Sequence, residues 1–87
     1  MVSKTVTVIN AQGFHMRPAT VFAGEMGKFQ SKITLESNGK TVDGKSLMNI
    51  IAACIKCGSE VTITCDGEDE AAMLQKATEM IESGLGE

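Results

Sequence analysis

The sequence predicts an α+β fold, an open-faced β-sandwich in which a four-stranded antiparallel sheet carries three helices on one face in the order βαββαβα. Three observations predict it. Four short stretches rich in β-branched residues alternate apolar and polar side chains with period two, so each strand buries one face only. Three further stretches space their apolar residues by three and four, as amphipathic helices do. An Asn38-Gly39 turn joins two of the strands directly and makes them antiparallel neighbours. A sheet with one wet face gathers its helices on the other. The split βαβ arrangement of ferredoxin-like folds has a related order, and periodicity does not choose between strand orders.

Thr5 to Ile9 reads as the first strand, with Val6 and Val8 inward. Asn10 to Phe14 is a loop that delivers His15 to a helix start. That helix runs from about Met16 to Met26, with Ala19, Phe22, Met26 and then Phe29 as its buried stripe and Gly27 as its stop; Gly24 weakens its second half. Lys32 to Glu36 alternates cleanly, and after the turn Lys40 to Asp43 returns as a third strand. Ser46 caps a short helix carrying Leu47, Ile50, Ile51 and Cys54, which ends near Gly58. Val61, Ile63 and Cys65 form the inward face of a fourth strand. Asp66 to Glu70 places acidic residues where a last helix begins and its dipole favours them, and Met73, Leu74, Ala77, Met80 and Ile81 make its apolar face before Gly84 ends it.

The 87 residues suffice for one domain, 1–87, near the lower end of what buries a self-sufficient core, and exclude a multi-domain enzyme. A net charge of −3, without basic clusters or interleaved aromatics, argues against nucleic acid or an anionic membrane as the main partner. Val2, Lys4, Val6 and Val8 alternate with polar residues where a signal peptide would be apolar, and no run reaches transmembrane length. The expectation is a cytoplasmic protein. An odd set of three cysteines fits a reduced compartment better than a disulfide framework.

Chemistry is concentrated in Gly13 Phe14 His15 Met16 Arg17 Pro18 Ala19, which holds the only histidine and the only proline of the chain. Proline is tolerated in the first turn of a helix, so His15 sits at or just before a helix start. Unpaired amides and the positive end of the helix dipole make such a start an anion site, and Arg17 adds a cation. The same field disfavours imidazolium and leaves a ring nitrogen as a nucleophile, so the stretch points to phosphoryl chemistry without a metal. A single histidine at a helix start is otherwise more often a cap or a packing residue. Here Gly13 frees the loop, Arg17 is poorly placed for a core role and Pro18 fixes the helix entry.

The stretch resembles the active-site signature Gly-Leu-His-Ala-Arg-Pro-Ala of the histidine-containing phosphocarrier family, HPr, of the bacterial sugar phosphotransferase system, and differs at Phe14 and Met16, apolar for apolar. Length, element order and a second motif at Lys45 Ser46 Leu47 Met48 fit as well. The resemblance implies the strand order 1-4-2-3. It implies a monomeric carrier without a cofactor, whose His15 accepts a phosphoryl group on Nδ1 from phosphoenolpyruvate-charged enzyme I and passes it to sugar-specific enzyme IIA domains, with Arg17 stabilising the phosphate.

Ser46, placed before an apolar helical stretch, is a favoured N-cap worth about 1 kcal/mol over alanine. A phosphate there would lie where the dipole favours charge, so the fold should survive it. In Firmicutes HPr proteins the matching serine is modified by an HPr kinase/phosphorylase and then engages a transcriptional regulator of catabolite repression; this chain departs from that group at Asn49, where glycine is usual. Consecutive helical positions lie about 100° apart, so Leu47, Met48 and Ile51 cannot all face the sheet. With Met16 and Thr20 they outline a docking patch around His15, where phosphate on Ser46 would repel an acidic partner.

Cys54 and Cys57 form a CxxC that, with Cys65 and His15, could be drawn as a metal site. They fall near a helix C-terminus, where the dipole disfavours thiolate, so small buried hydrophobes are the better reading. Two other classes remain: a purely regulatory protein that needs only Ser46, and a ligand or metal module that needs the cysteines.

Overall fold

The computed structural model describes residues 1–10 and 13–85. Positions 11 and 12 of the expected Asn10 to Phe14 loop lie outside the described residues. The elements follow as β1 (Val2–Thr7), α1 (Met16–Met26), β2 (Lys32–Ser37), β3 (Lys40–Asp43), α2 (Leu47–Ala52), β4 (Glu60–Asp66) and α3 (Glu70–Glu82). All strand pairs are antiparallel and the sheet order is β1-β4-β2-β3, as expected.

Alternation places Val6, Val61, Ile63, Cys65, Ile33 and Leu35 on one face, all buried. The opposite face is hydroxyl-rich, with Ser3, Thr5, Thr62, Thr64 and Thr34 in register and the Thr5 and Thr62 hydroxyls 3.0 Å apart. The apolar face is covered by Ala19, Phe22 and Met26 of α1, Ile50 of α2, and Met73, Ala77 and Ile81 of α3. Burial of each large side chain among these stabilises the fold by about 1.5–3 kcal/mol. Phe29 is half-buried against the same core.

The boundaries of two elements depart from the sequence reading. β1 starts at Val2 rather than Thr5, because Val2 and Ser3 pair with Cys65 and Thr64 of β4. Its inward series still continues to a buried Val8, whose N–H donates to the Ser59 carbonyl at 2.9 Å and whose carbonyl accepts from Gly58 N–H at 2.8 Å. The helix expected to carry Cys54 and end near Gly58 stops at Ala52. Cys54 takes a left-handed backbone conformation (φ 54°), which costs a non-glycine residue about 1–2 kcal/mol and turns the chain so that Ile55 enters the core. Cys54 and Cys57 are therefore exposed, and only Cys65 is the small buried hydrophobe expected of all three.

The acidic start of α3 also works differently from expectation. Asp69 is the N-cap but makes no capping bond with its side chain. Its carboxylate instead accepts from Gln30 N–H (2.9 Å), from Ser31 N–H (2.9 Å) and from the Ser31 hydroxyl, clamping the α1–β2 connection to the start of α3. Gly67 lies so close to Ser31 that a Cβ there would stand 2.6 Å from the Ser31 Cα. Glu70 does serve the helix start, accepting from Gly67 N–H at 3.1 Å and pairing with the Met1 amine at 2.9 Å.

Hydrogen bonds from Ser31 and Gln30 hold the Asp69 carboxyl down at about 2. A depressed folded-state value means that the clamp contributes its full stability above the ordinary value of 3.8 and loses it as pH falls through about 2. Asp69→Asn is accordingly expected to lower Tm by several degrees near neutral pH, with the gap to the parent protein closing between pH 3.8 and about 2. Thermal melts across that window decide it; a gap that stays constant would show that the carboxylate charge is not what the clamp uses.

Candidate functional site

His15 is the N-cap of α1, half-buried, with extended backbone angles (φ −83°, ψ −173°), and its side chain makes no capping hydrogen bond to the helix. Its carbonyl accepts the first intrahelical bond, from Ala19 N–H at 3.0 Å. Pro18 has no N–H, so the amides without an intrahelical acceptor in this first turn belong to Met16 and Arg17. An imidazole ring, two helix-start amides and an exposed guanidinium thus occupy three consecutive residues.

The chain before His15 is held by backbone contacts. Gly13 is left-handed (φ 63°) and its N–H donates to the Asn10 carbonyl at 3.0 Å, while the Asn10 side-chain amide donates back to the Gly13 carbonyl. Phe14 N–H donates to the Ile55 carbonyl at 2.9 Å, and the buried Phe14 ring meets Phe22 edge-on at 5.3 Å between centroids. Gly13 packs directly on this neighbouring segment: a Cβ would stand 2.7 Å from the Lys56 Cα. Glycine is required here twice over, by φ and by approach. The segment from Ala53 to Gly58 supports the stretch before His15 and was not foreseen from the sequence, since its contacts with Gly13 and Phe14 are made by backbone atoms and leave no residue-type signal.

Ser46 caps α2, its Oγ accepting from Asn49 N–H at 3.3 Å. Lys45 of the second motif donates from Nζ to the Phe29 carbonyl at 2.8 Å, tying the entry of α2 to the chain just beyond α1. α1 and α2 pack on one another, which brings the two motifs onto adjacent helices.

Of the expected patch, Met16 (61% exposed) and Met48 (72%) are open to solvent and Thr20 is exposed, its hydroxyl donating to the Met16 carbonyl at 2.7 Å. Leu47 and Ile51 are only half-buried, because they also pack on the core. Val21, 49% exposed, was not foreseen; it stands four residues after Arg17 and so shares that residue's face of α1.

Two concavities, about 540 Å³ beside β2, β3 and Lys45 and about 410 Å³ between β1 and α3, are not lined by His15. Among the described residues no group of three or more His, Cys, Asp or Glu side chains could hold a metal ion. Cys65 lies in the sheet core, where burial, helped by Glu70 and Asp69, pushes its thiol up to about 11. No helix among the described residues is long and apolar enough to cross a membrane.

Comparison with known proteins follows the same lines. The family described as "PTS HPr component phosphorylation site" matches residues 2–83. The phosphocarrier protein HPr of Mycoplasma capricolum is 40% identical over 86 residues, covering 98% of this chain and 97% of the relative. The HPr-like protein Crh of Bacillus subtilis is 40% identical over 76 residues, covering 87% and 89%. The crystal structure of HPr-C-His from Thermoanaerobacter tengcongensis superposes with a TM-score of 0.95 at 34% identity, over 100% of this chain and 98% of that one.

Gly13→Ala is expected to destabilise the protein by about 3 kcal/mol, through left-handed strain plus steric overlap with the 55–56 backbone. Chemical denaturation measures the loss, and amide exchange should show Phe14 N–H losing protection. A change within 0.5 kcal/mol, roughly the range of a neutral surface substitution, would show that the close approach is not limiting.

Proposed function

The chain belongs to the HPr family of phosphotransferase-system phosphocarriers, and from that premise we propose that His15 accepts a phosphoryl group from enzyme I and hands it to sugar-specific enzyme IIA domains. The observation that carries this reading is the conjunction of His15 with the Met16 and Arg17 amides and the Arg17 guanidinium at one helix start. A ring nitrogen attacks the donor's phosphorus; the new nitrogen–phosphorus bond forms as the bond to the donor breaks. The incoming dianion is met by helix-start N–H groups and by Arg17, whose charge-assisted bonds replace those it made on the donor. The reverse geometry delivers the group to the next protein. The carrier supplies a docking surface and a transient anchor, and works as a single-domain monomer in the cytoplasm.

Exposed Met16 and Met48 suit a surface that must accept different partners in turn, since thioether side chains repack easily. A second reading adds regulation at Ser46, in which an HPr kinase/phosphorylase phosphorylates the serine and a catabolite-control transcription regulator reads the product. The exposed Met48 beside the Ser46 cap and the Crh relative support it.

Phosphorus NMR of the purified protein with phosphoenolpyruvate and enzyme I tests the relay: an acid-labile adduct is expected on the parent protein and none on His15→Ala. Arg17→Ala should retain the adduct but form it about 10- to 100-fold more slowly, the worth of one or two charge-assisted hydrogen bonds. No adduct on the parent protein, with a known carrier active in the same tube, overturns the relay. Ser46→Asp should keep Tm within a few degrees while slowing transfer; an unchanged rate would remove the second reading's link to docking.

A further inference from the structure

α3 leaves part of the edge strand β1 uncovered. Both elements begin at the same end of the sheet, where the Met1 amine pairs with Glu70 at 2.9 Å and Val2 stands opposite Cys65, and the concavity of about 410 Å³ runs between them. At that end its walls are apolar, from Val2, Ala71 and Leu74. Farther along they are polar, with Lys4 on the strand and Thr78, Glu79 and Glu82 on the helix. Lys4 is in register with the buried Ile63, so a cation stands on the face of the sheet that elsewhere holds the core. Among the described residues no ion pair engages Lys4, Glu79 or Glu82, and the Glu79 carboxylate accepts only from the Gln75 side-chain amide, at 3.3 Å. Thr78 is 6% exposed and its Oγ1 has no hydrogen-bond partner, an uncommon state for a buried hydroxyl. One concavity thus gathers an apolar wall, an unpaired cation, an unpaired hydroxyl and two carboxylates.

We propose that this concavity binds a free α-amino acid with an aliphatic side chain. The side chain lies on Val2, Ala71 and Leu74, out of water. The carboxylate meets Lys4 and the Thr78 hydroxyl; a helical threonine has two accessible χ1 rotamers, so the hydroxyl turns to an acceptor in the groove without backbone movement. The ammonium meets Glu79 and Glu82. A ligand with a single charge satisfies only half of this arrangement, since an anion faces the two carboxylates and a cation faces Lys4. The volume falls in the lower part of the range of small-molecule sites, about 300–1,000 Å³. A lysine on an edge strand also discourages pairing with other strands, but that use calls for neither the carboxylates opposite it nor the unpaired hydroxyl. Neither His15 nor Arg17 lines the concavity, so the inference is independent of the carrier reading.

L-Leucine is the probe. Titrated into the isotopically labelled full-length protein, it is expected to shift the backbone amides of Val2 to Lys4 and of Leu74 to Glu79 saturably, with a Kd on the order of millimolar for so open a site. Isocaproate and isoamylamine keep the aliphatic chain with one charge each, and both should bind about tenfold more weakly. Lys4→Gln and Glu82→Gln should each weaken leucine binding about three- to tenfold. Thr78→Val separates ligand binding from folding: exchanging an unpaired buried hydroxyl for a methyl should raise Tm while weakening leucine binding about threefold. No saturable shift at about 50 mM leucine would overturn the proposal. Equal binding of all three probes, or a Thr78→Val protein that holds leucine as tightly as the parent, overturns it as well.

Discussion

The site depends on a seam between two stretches of backbone, Gly13-Phe14 on one side and Ile55-Lys56 on the other. One hydrogen bond of this kind is worth only about 0.5–1.5 kcal/mol net, so its importance is directional. It fixes where the chain enters α1. The residues on either side of the His15-Met16-Arg17 stretch are buried, with Phe14 edge-on to Phe22 before it and Pro18 and Ala19 packed into the core after it, while His15 itself stays half-exposed. The imidazole ring is thus positioned by the burial of residues on either side of it, and keeps its own access to solvent.

Much of this was legible in the sequence because amphipathic periodicity is local. Lys32 to Ser37 and Lys40 to Asp43 alternate around an Asn38-Gly39 turn, and Ala19, Phe22 and Met26 mark one face of a helix, so β2, β3 and α1 appear almost where they were expected. His15 and Arg17 could be assigned to a helix start from Pro18 alone. The end of α2 was not legible. Cys54 continues the apolar spacing of Ile50 and Ile51, and nothing in its type announces a left-handed turn. The cysteines were consequently placed indoors when two of them are outdoors.

Long-range polar ties were the other blind spot. Asp69 and Lys45 both stand at helix starts, and local rules assign such residues to caps and dipoles. In the fold each reaches a distant part of the chain: Asp69 holds Gln30 and Ser31, and Lys45 holds the Phe29 carbonyl. Both ties converge on the connection between α1 and β2, which lacks apolar anchors of its own apart from Phe29. Hydrogen bonding does there what side-chain burial does at Phe14.

The brevity of α2 carries a consequence for any protein that would modify it. Six residues are too few to hold a helix in water, where a dozen or more are needed even for favourable sequences. Its capped geometry at Ser46 exists because Ile50 is buried beneath it and Lys45 is tied to Phe29. A short peptide cut from around Ser46 would present the same letters without that shape. An enzyme that reads the capped serine must therefore read a folded surface, and would be blind to the chain before it has folded.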